Sequence, residues 1–235
     1  MTSSRSKSSS PLASLRVWRD EIPHGAALNM ALDEALLTSD PSSAILRIYS
    51  WAEPSISMGY FQKWAEVEPL LPHGVQLMRR WTGGGIVDHC RDRTYSLIVP
   101  RSEGLATKRA ERTYEEVHEA FRRALALHGV EAELAESCNT CDTTGVGACF
   151  AGGHVRHDVL RNGRKIAGAA LRRNRSGLLH QGSVQDLEVE DSFWDTFAAE
   201  LAGEVESYEP EDLIWSAAEE LSAGKYETEA WIRRR

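Results

Sequence analysis

A chain of 235 residues that is 42% hydrophobic and 26% charged has the length to bury one sizeable core and the composition of a soluble globular protein. Its formal net charge of -8 argues against a surface that is basic throughout, so nucleic acid is not an expected partner. No apolar run approaches the ~20 residues that a spanning helix needs, which removes the membrane as a partner too.

Residues 1–13 are serine-rich, with no acidic residue and no apolar core of a secretory signal. They are expected to form a disordered tail ahead of a single domain over 14–235. Four cysteines, Cys90, Cys138, Cys141 and Cys149, with no export signal in view, point to a reduced cytoplasmic setting in which they serve as thiols or metal ligands.

Leu28, Ala31, Leu32, Ala35 and Leu36 recur at helical spacing and predict a first helix over 25–37. Alternating segments follow at 45–51, 55–61, 75–81 and 94–100, each bounded by proline, glycine or polar residues, and these read as strands. Between the third and fourth lies RRWTGGGIVDH, residues 79–89. Consecutive glycines let the backbone approach a ligand and present successive N–H groups, while Arg79 and Arg80 supply positive charge and Thr82 a hydroxyl. The same residues also suit a glycine-rich turn with solvated arginines.

Thr113 and Glu116 have the spacing of a capping box, and Val117, Ala120, Phe121, Ala124 and Leu125 continue a second helix as far as His128 and Gly129. Cys138 and Cys141 are spaced as half a zinc site with no matching second half, so no metal is expected. Cys149 lies in GVGACFAGG. Lys165, His154 or His157 nearby would lower its pKa and make it a nucleophile, whereas a buried thiol would be inert.

Asn162-Gly163 separates HDVLR from RKIAGAALRR and is the strongest hairpin signal in the chain. In a two-residue hairpin Lys165 lies across from Leu160 and shares a face with Ala167, Ala169 and, diagonally, Asp158. Gly168 then admits another element on the opposite face. Lys165 is either an ammonium looking into the slot left by the alanines or an edge lysine paired to Asp158. A further strand over 177–185 follows a turn at 174–177, and 191–235 read as short amphipathic helices carrying Trp194, Phe197, Leu201, Leu213, Trp215 and Leu221. Strands and helices mix without β-α-β alternation, which predicts an α+β fold with a mixed sheet.

Five segments in order, NMALDEALL, WAEPSISMGYFQ, RRWTGGGIVDH, NGRKIAGAALRR and GLLHQGSV, resemble the catalytic domain of the lipoate-protein ligase and octanoyltransferase superfamily. The resemblance implies a mixed, largely antiparallel sheet flanked by helices, like the class II synthetase-like core of biotin ligases. It further implies that Arg80, Gly83, Gly84, Gly85 and His89 line an acyl pocket, with Thr82, Gly168 and Ala169 as further substrate-binding positions. Lys165 matches the lysine that holds the carbonyl or phosphate oxygens of the activated acyl group. Cys149-Phe150 matches the Cys-Phe pair of one group of octanoyltransferases.

An octanoyltransferase of that kind takes octanoate from acyl carrier protein through a Cys149 thioester, with no cofactor, and delivers it to a lysine of a lipoyl domain, as in a glycine-cleavage H protein or a dehydrogenase subunit. The alternatives are an ATP- and magnesium-dependent lipoate-protein ligase acting through lipoyl-AMP, with Cys149 a spectator, and a non-catalytic binder of acylated carriers. The chain departs from the pattern at His180-Gln181-Gly182-Ser183, where the transferases read Gln-His-Gly-Ser, and at Gly168-Ala169-Ala170, where they read Gly-Ser-Ala. Ligases tend to have Asn-Asp where this chain has His157-Asp158. Arg79, Arg91, Arg93, Arg172, Arg173 and Arg175 are candidates for docking an acidic carrier.

Overall fold

A computed structural model describes residues 10–39, 41–139 and 153–234. In chain order the described strands are β1 (Leu12–Arg19), β2 (Ala44–Tyr49), β3 (Ser55–Met58), β4 (Gln76–Arg79), β5 (Ile86–Asp88), β6 (Arg93–Pro100), β7 (Glu133–Leu134), β8 (Val159–Arg161), β9 (Arg164–Arg173), β10 (Gly177–Val184) and β11 (Ala202–Ser207). The described helices are α1 (Ala26–Thr38), α2 (Trp64–Val67), α3 (Gly104–Thr107), α4 (Ala110–Leu127), α5 (Asp191–Leu201), α6 (Asp212–Leu221) and α7 (Glu229–Ile232), with a π-helical turn at Ser222–Tyr226.

One sheet runs in the order β11-β1-β2-β6-β10-β9-β8-β7, and a smaller one in the order β4-β3-β5. In the large sheet β11, β1 and β2 are parallel neighbours and the remaining pairings are antiparallel, so the fold is α+β with a mixed, largely antiparallel sheet. Helices cover both faces. Tyr95, Leu97 and Val99 of β6 face Phe121 of α4 and Phe197 of α5, while Ile98 lies in the second core with Leu32 and Leu36 of α1. That double cover explains why β6 from Thr94 onward and all of β10 are buried. A central strand has no solvent face to alternate towards.

The first helix forms where its periodicity places it, but it is buried almost all round, with Asn29, Asp33 and Glu34 inside alongside its apolar residues. The capping box does not form. Helix α4 starts at Ala110, and Thr113, inside it, donates from Oγ1 to the Leu105 carbonyl at 3.0 Å, while Glu116 pairs with Lys108. Ala110 and Glu111 are strong helix formers that carry the helix back one turn. Its end agrees with the sequence, with His128 as the cap and Gly129 at φ +74°.

Two edge elements depart from expectation. Strand β1 begins at Leu12, so the last two positions of the expected tail belong to a strand, with Leu12 opposite Ala202 of β11; residues 1–9 lie outside the described ones. The stretch expected to be wholly helical contains β11, whose sequence AGEVES is exposed after its first residue and carries no apolar alternation. Parallel pairing to β1 makes it a strand. Among the described residues no helix is long and apolar enough to cross a membrane.

The Asn162-Gly163 hairpin forms, with φ +52° and +73° as its two-residue turn requires. Leu160 faces Lys165 as expected, but Val159 faces Ala167, so β9 carries one extra residue. This bulge changes which side chains share a face. Lys165 lies over Gly168 rather than beside Ala167 and Ala169, because a Cβ on Gly168 would fall 2.3 Å from Lys165 Cε. The space at Gly168 therefore receives the lysine and is not open to another element on the opposite face.

Candidate active site

The link from β4 to β5, residues 80–85, folds over the large sheet and encloses a pocket against β9 and β10. Met30, Tyr49, Trp51 and Val87 supply apolar lining; Arg80, Gly84, Gly85 and His89 lie on the loop side; Lys165, Gly168, Ala169, Gln181 and Ser183 lie on the sheet side. The expected residues Arg80, Gly84, Gly85, His89, Lys165, Gly168 and Ala169 are thus brought together at one pocket. Gly83 borders an open groove that adjoins it through Gly84, Ala169 and Ala170.

The two arginines of the motif serve the protein's own backbone. Arg79 is buried and donates to the carbonyls of Gly59, Tyr60 and Gln62 and to those of Trp231 and Ile232, tying the β3 exit and the C-terminal helix together. It is therefore not a docking residue. Arg80 donates through Nη1 to Ser57 O and Oγ at 2.9 and 2.7 Å, and through Nη2 to the carbonyls of Gly83 and Gly85 at 2.9 and 3.0 Å. Its guanidinium, 5% exposed, holds the curl of the loop. Gly84 needs its φ of +87°, and Gly59 allows the loop to descend, since a Cβ there would sit 2.0 Å from the Gly84 carbonyl oxygen.

Thr82 is buried, and its hydroxyl donates to Gln181 Oε1 at 2.7 Å. Gln181 Nε2 donates to Asp33 Oδ2 at 2.7 Å, and Asp33 Oδ1 accepts from Arg47 Nη1 at 2.9 Å. Arg47 Nη2 then reaches Asp20 Oδ2 at 2.7 Å and Asn29 Oδ1 at 2.6 Å. Burial works against the Arg47 charge, but Asp33 and Asp20 outweigh it and hold the guanidinium pKa above its usual value. So Asn29 and Asp33 of the first motif are there for the loop's foundation.

His89 is bonded on both sides, Nε2 to Ser57 Oγ at 2.5 Å and Nδ1 to Asp92 Oδ2 at 2.6 Å, and its ring stacks on Trp51 with centroids 4.0 Å apart. Asp92 Oδ2 also accepts from Thr94 at 3.0 Å and Ser183 at 2.6 Å, so the imidazole is fixed in plane and tilt. Lys165 Nζ sits 2.8 Å from Asp158 Oδ2 with its side chain 11% exposed. Both readings of Lys165 therefore hold at once: it is paired to Asp158, and it lines the pocket.

Cys149, Phe150 and Cys141 lie outside the described residues. Cys138 is an exposed free thiol. Cys90 is also free, with burial and then the hydrogen bond to Asp88 pushing its thiol up to about 11. Among the described residues no three His, Cys, Asp or Glu side chains are grouped to hold a metal ion. Of the docking candidates, Arg91, Arg93, Arg173 and Arg175 are exposed, while Arg172 stacks over Trp81 and Tyr60 at 4.8 and 5.2 Å.

Sequence reasoning missed Asp92, Tyr114 and the Asp20–Arg47–Asp33–Gln181 chain as parts of the site. A signal existed for Asp33, a carboxylate one turn after Asn29 in a largely apolar helix; none existed for Tyr114, which reads as one more residue of an amphipathic helix.

The model of the lipoyl protein ligase A/B catalytic domain matches residues 25–212. The chain is 33% identical over 171 residues to an octanoyltransferase LipM of Oceanobacillus iheyensis, covering 70% of this chain and 62% of that protein. It is 34% identical over 181 residues to an octanoyltransferase LipM of Geobacillus kaustophilus, covering 72% and 65%. The match thus spans less than two thirds of the length of these curated relatives. The fold is shared with a bi-partite lipoate protein ligase from Thermoplasma acidophilum at a TM-score of 0.71 and 21% identity, over 94% of this chain and 96% of that one. With most of its length matched by one family model and its motif residues gathered at one pocket, the chain belongs to the lipoyl protein ligase A/B catalytic domain family.

Proposed function

We propose that this protein is an octanoyltransferase that takes an octanoyl group from acyl carrier protein and delivers it to a lysine of a lipoyl domain. The observation that carries the reading is the pocket itself, an apolar recess with an ammonium on the sheet side and a glycine loop on the other. Such a site accepts an alkyl chain and stabilises charge developing on its carbonyl oxygen. The relatives named octanoyltransferase LipM support the choice of acyl group.

In this mechanism the Cys149 thiolate attacks the carbonyl carbon of the octanoyl-carrier thioester. The oxyanion of the tetrahedral intermediate is held by the Lys165 ammonium and by N–H groups of the Gly83–Gly85 loop, and the carrier departs as its thiolate, which takes up through solvent a proton equivalent to the one the acceptor amine later loses. The neutral amine of the acceptor lysine then attacks the Cys149 thioester, the amide forms, and the cysteine leaves as a thiolate while the amine gives up its proton. Activation arrives with the donor thioester, so no cofactor is needed. A reactive thiol of this kind suits the cytoplasmic setting expected from cysteine usage. Placement of Cys149 in this role rests on the Cys-Phe pair in the sequence; among described residues, Asn139 and His154 on either side of that segment are paired to each other, and Cys138 and Val155 border the groove adjoining the pocket. Removing one oxyanion donor typically lowers kcat by ~10²–10³-fold, and Lys165→Ala is expected to fall in that range.

The test is intact-mass spectrometry of the wild type and Cys149→Ser, each incubated with octanoyl-carrier protein and, separately, with octanoate, ATP and magnesium plus an apo lipoyl domain. The transferase shows an octanoyl adduct that is lost in Cys149→Ser and acylates the acceptor without ATP. Acylation that requires ATP and survives Cys149→Ser makes the protein a lipoate-protein ligase instead, with Lys165 holding the adenylate.

A further inference from the structure

Asp158 is held from several sides. Its Oδ1 accepts from the Tyr114 hydroxyl at 2.5 Å, and its Oδ2 accepts from the Val155 N–H at 2.8 Å and pairs with Lys165 at 2.8 Å. Its side chain has no exposed surface. The Tyr114 oxygen also accepts the N–H of Ala169 at 2.9 Å, so the helix that fixes the carboxylate is anchored to the strand that carries the lysine. A carboxylate and a phenol buried at this depth cost free energy unless every polar atom is engaged, and here they are engaged with each other.

The backbone is aimed as well. His157, just before Asp158, has φ +69°, a conformation that Asn, Asp and His adopt more readily than other side chains. Its carbonyl accepts from Nδ1 of His118 at 2.6 Å. His118 lies one turn after Tyr114 on α4, so two residues on one helix face hold the side chain of Asp158 and the carbonyl of the residue before it. On the far side, a Cβ at Gly168 would stand 2.3 Å from Lys165 Cε, 2.5 Å from Nζ and 2.9 Å from Asp158 Oδ1. Nothing larger than glycine fits under the ion pair as it stands.

We propose that Tyr114 and Asp158 are positioning residues that aim the Lys165 ammonium into the acyl pocket, with Gly168 the seat that lets it lie against the sheet. The proposal rests on the proposed function for the role of Lys165 in transfer, but the placement of the ammonium is independent of it. It also gives Gly168 a role other than contact with substrate. An Asp158 that served only to neutralise an edge lysine would need neither Tyr114 nor a glycine beneath it.

The test has two readouts. The first is competitive amine labelling of Lys165 by an N-hydroxysuccinimide ester, read by mass spectrometry against the exposed Lys63 in the same molecule, in the wild type, Tyr114→Phe, Asp158→Asn and Gly168→Ala. Freed from the buried carboxylate that holds its side chain at 11% exposure, Lys165 is expected to label several-fold faster in Asp158→Asn, with smaller rises in the other two. Labelling unchanged in all three overturns the proposal whether or not the protein transfers octanoate.

The second readout is steady-state transfer. Each variant is expected to lose ~10-fold or more in kcat, with the donor KM within two-fold, as misplacement of a catalytic group does. Combined with Lys165→Ala, none should lower the residual rate further. A loss that multiplies with that of Lys165→Ala, or a wild-type kcat beside raised labelling, overturns the positioning role. If Lys165→Ala transfers at the wild-type rate, it is the proposed role of Lys165 that fails, and the labelling data alone then decide the placement. Melting temperatures separate all of this from unfolding; Gly168→Ala is the informative control because its Cβ meets a flexible lysine end.

Discussion

Thr82 Oγ1 donates to Gln181 Oε1 at 2.7 Å, and through this contact the glycine loop rests on a buried polar chain that runs by way of Asp33 and Arg47 to Asp20. The chain links α1, β2, β10 and the loop, so pocket shape and fold stability share the same residues.

Arg47 is the member whose loss leaves most behind. Its removal abandons Asp20 and Asp33, with side chains 4% and 0% exposed, without their counter-charge. Arg47→Met is expected to cost ~3–5 kcal/mol, the range for breaking one side of a buried ion pair. Urea denaturation would measure it as a lower midpoint with an unchanged slope. A loss under about 1 kcal/mol, the value of a surface pair, would show that the chain contributes little to stability.

Two glycines of the loop region should behave oppositely. A Cβ at Gly59 meets the Gly84 oxygen at 2.0 Å and the Gly83 carbonyl at 2.8 Å, all backbone, whereas one at Gly83 meets nothing within 4 Å. Gly59→Ala must therefore push the loop out of place, at a cost of ~1–3 kcal/mol typical of overpacking, with loss of transfer. Gly83→Ala should fold like the wild type and act only where a ligand approaches. Thermal midpoints of the two variants, compared directly, check the order.

Much of this was legible in the sequence. Periodicity located α1 and the end of α4, the Asn162-Gly163 pair located its hairpin, and the motif order singled out Arg80, Gly84, Gly85, His89 and Lys165, which line one pocket. What was illegible depended on tertiary partners. The bulge at Val159/Leu160, which moves Lys165 over Gly168, has no local signature in HDVLR or RKIAGAALRR. Arg79 reads as a cation for ligands, yet it is buried among backbone carbonyls of segments far apart in the chain. Strand β11 has no apolar alternation because only its first residue is buried.

His118 predicts a pH dependence of stability. Burial lowers its pKa to about 4 from 6.5, so the folded state keeps the ring neutral through a range in which the unfolded chain takes up a proton. The unfolded state then binds more protons, and stability rises with pH between about 4 and 6.5. Expressed the other way, stability is full above about 6.5, falls as pH drops through that window, and levels off below about 4 as far as this group is concerned. His180, also held well below its usual value by burial and then by His118, acts in the same direction. Removing one titration with His118→Gln should reduce the slope by up to ~1.4 kcal/mol per pH unit. Identical slopes in the two proteins, measured by denaturant midpoints across that window, would contradict the assignment.

In the proposed transfer one thiol carries the acyl group, and Cys90 allows a subtraction. Its pKa is pushed up to about 11 by burial and the neighbouring Asp88, so at pH 7 only about one molecule in 10⁴ holds it as the thiolate that attacks or is alkylated. Cys90 is therefore expected to be a bystander although it is exposed. Iodoacetamide at pH 7 should abolish transfer by the wild type and by Cys90→Ser at the same rate, with octanoyl-carrier protein slowing both by occupying the nucleophile. Transfer that becomes resistant to alkylation in Cys90→Ser would move the nucleophile to Cys90 and remove Cys149 from the mechanism. Equal inactivation, with carboxamidomethylation mapped to Cys149, would assign the thioester there.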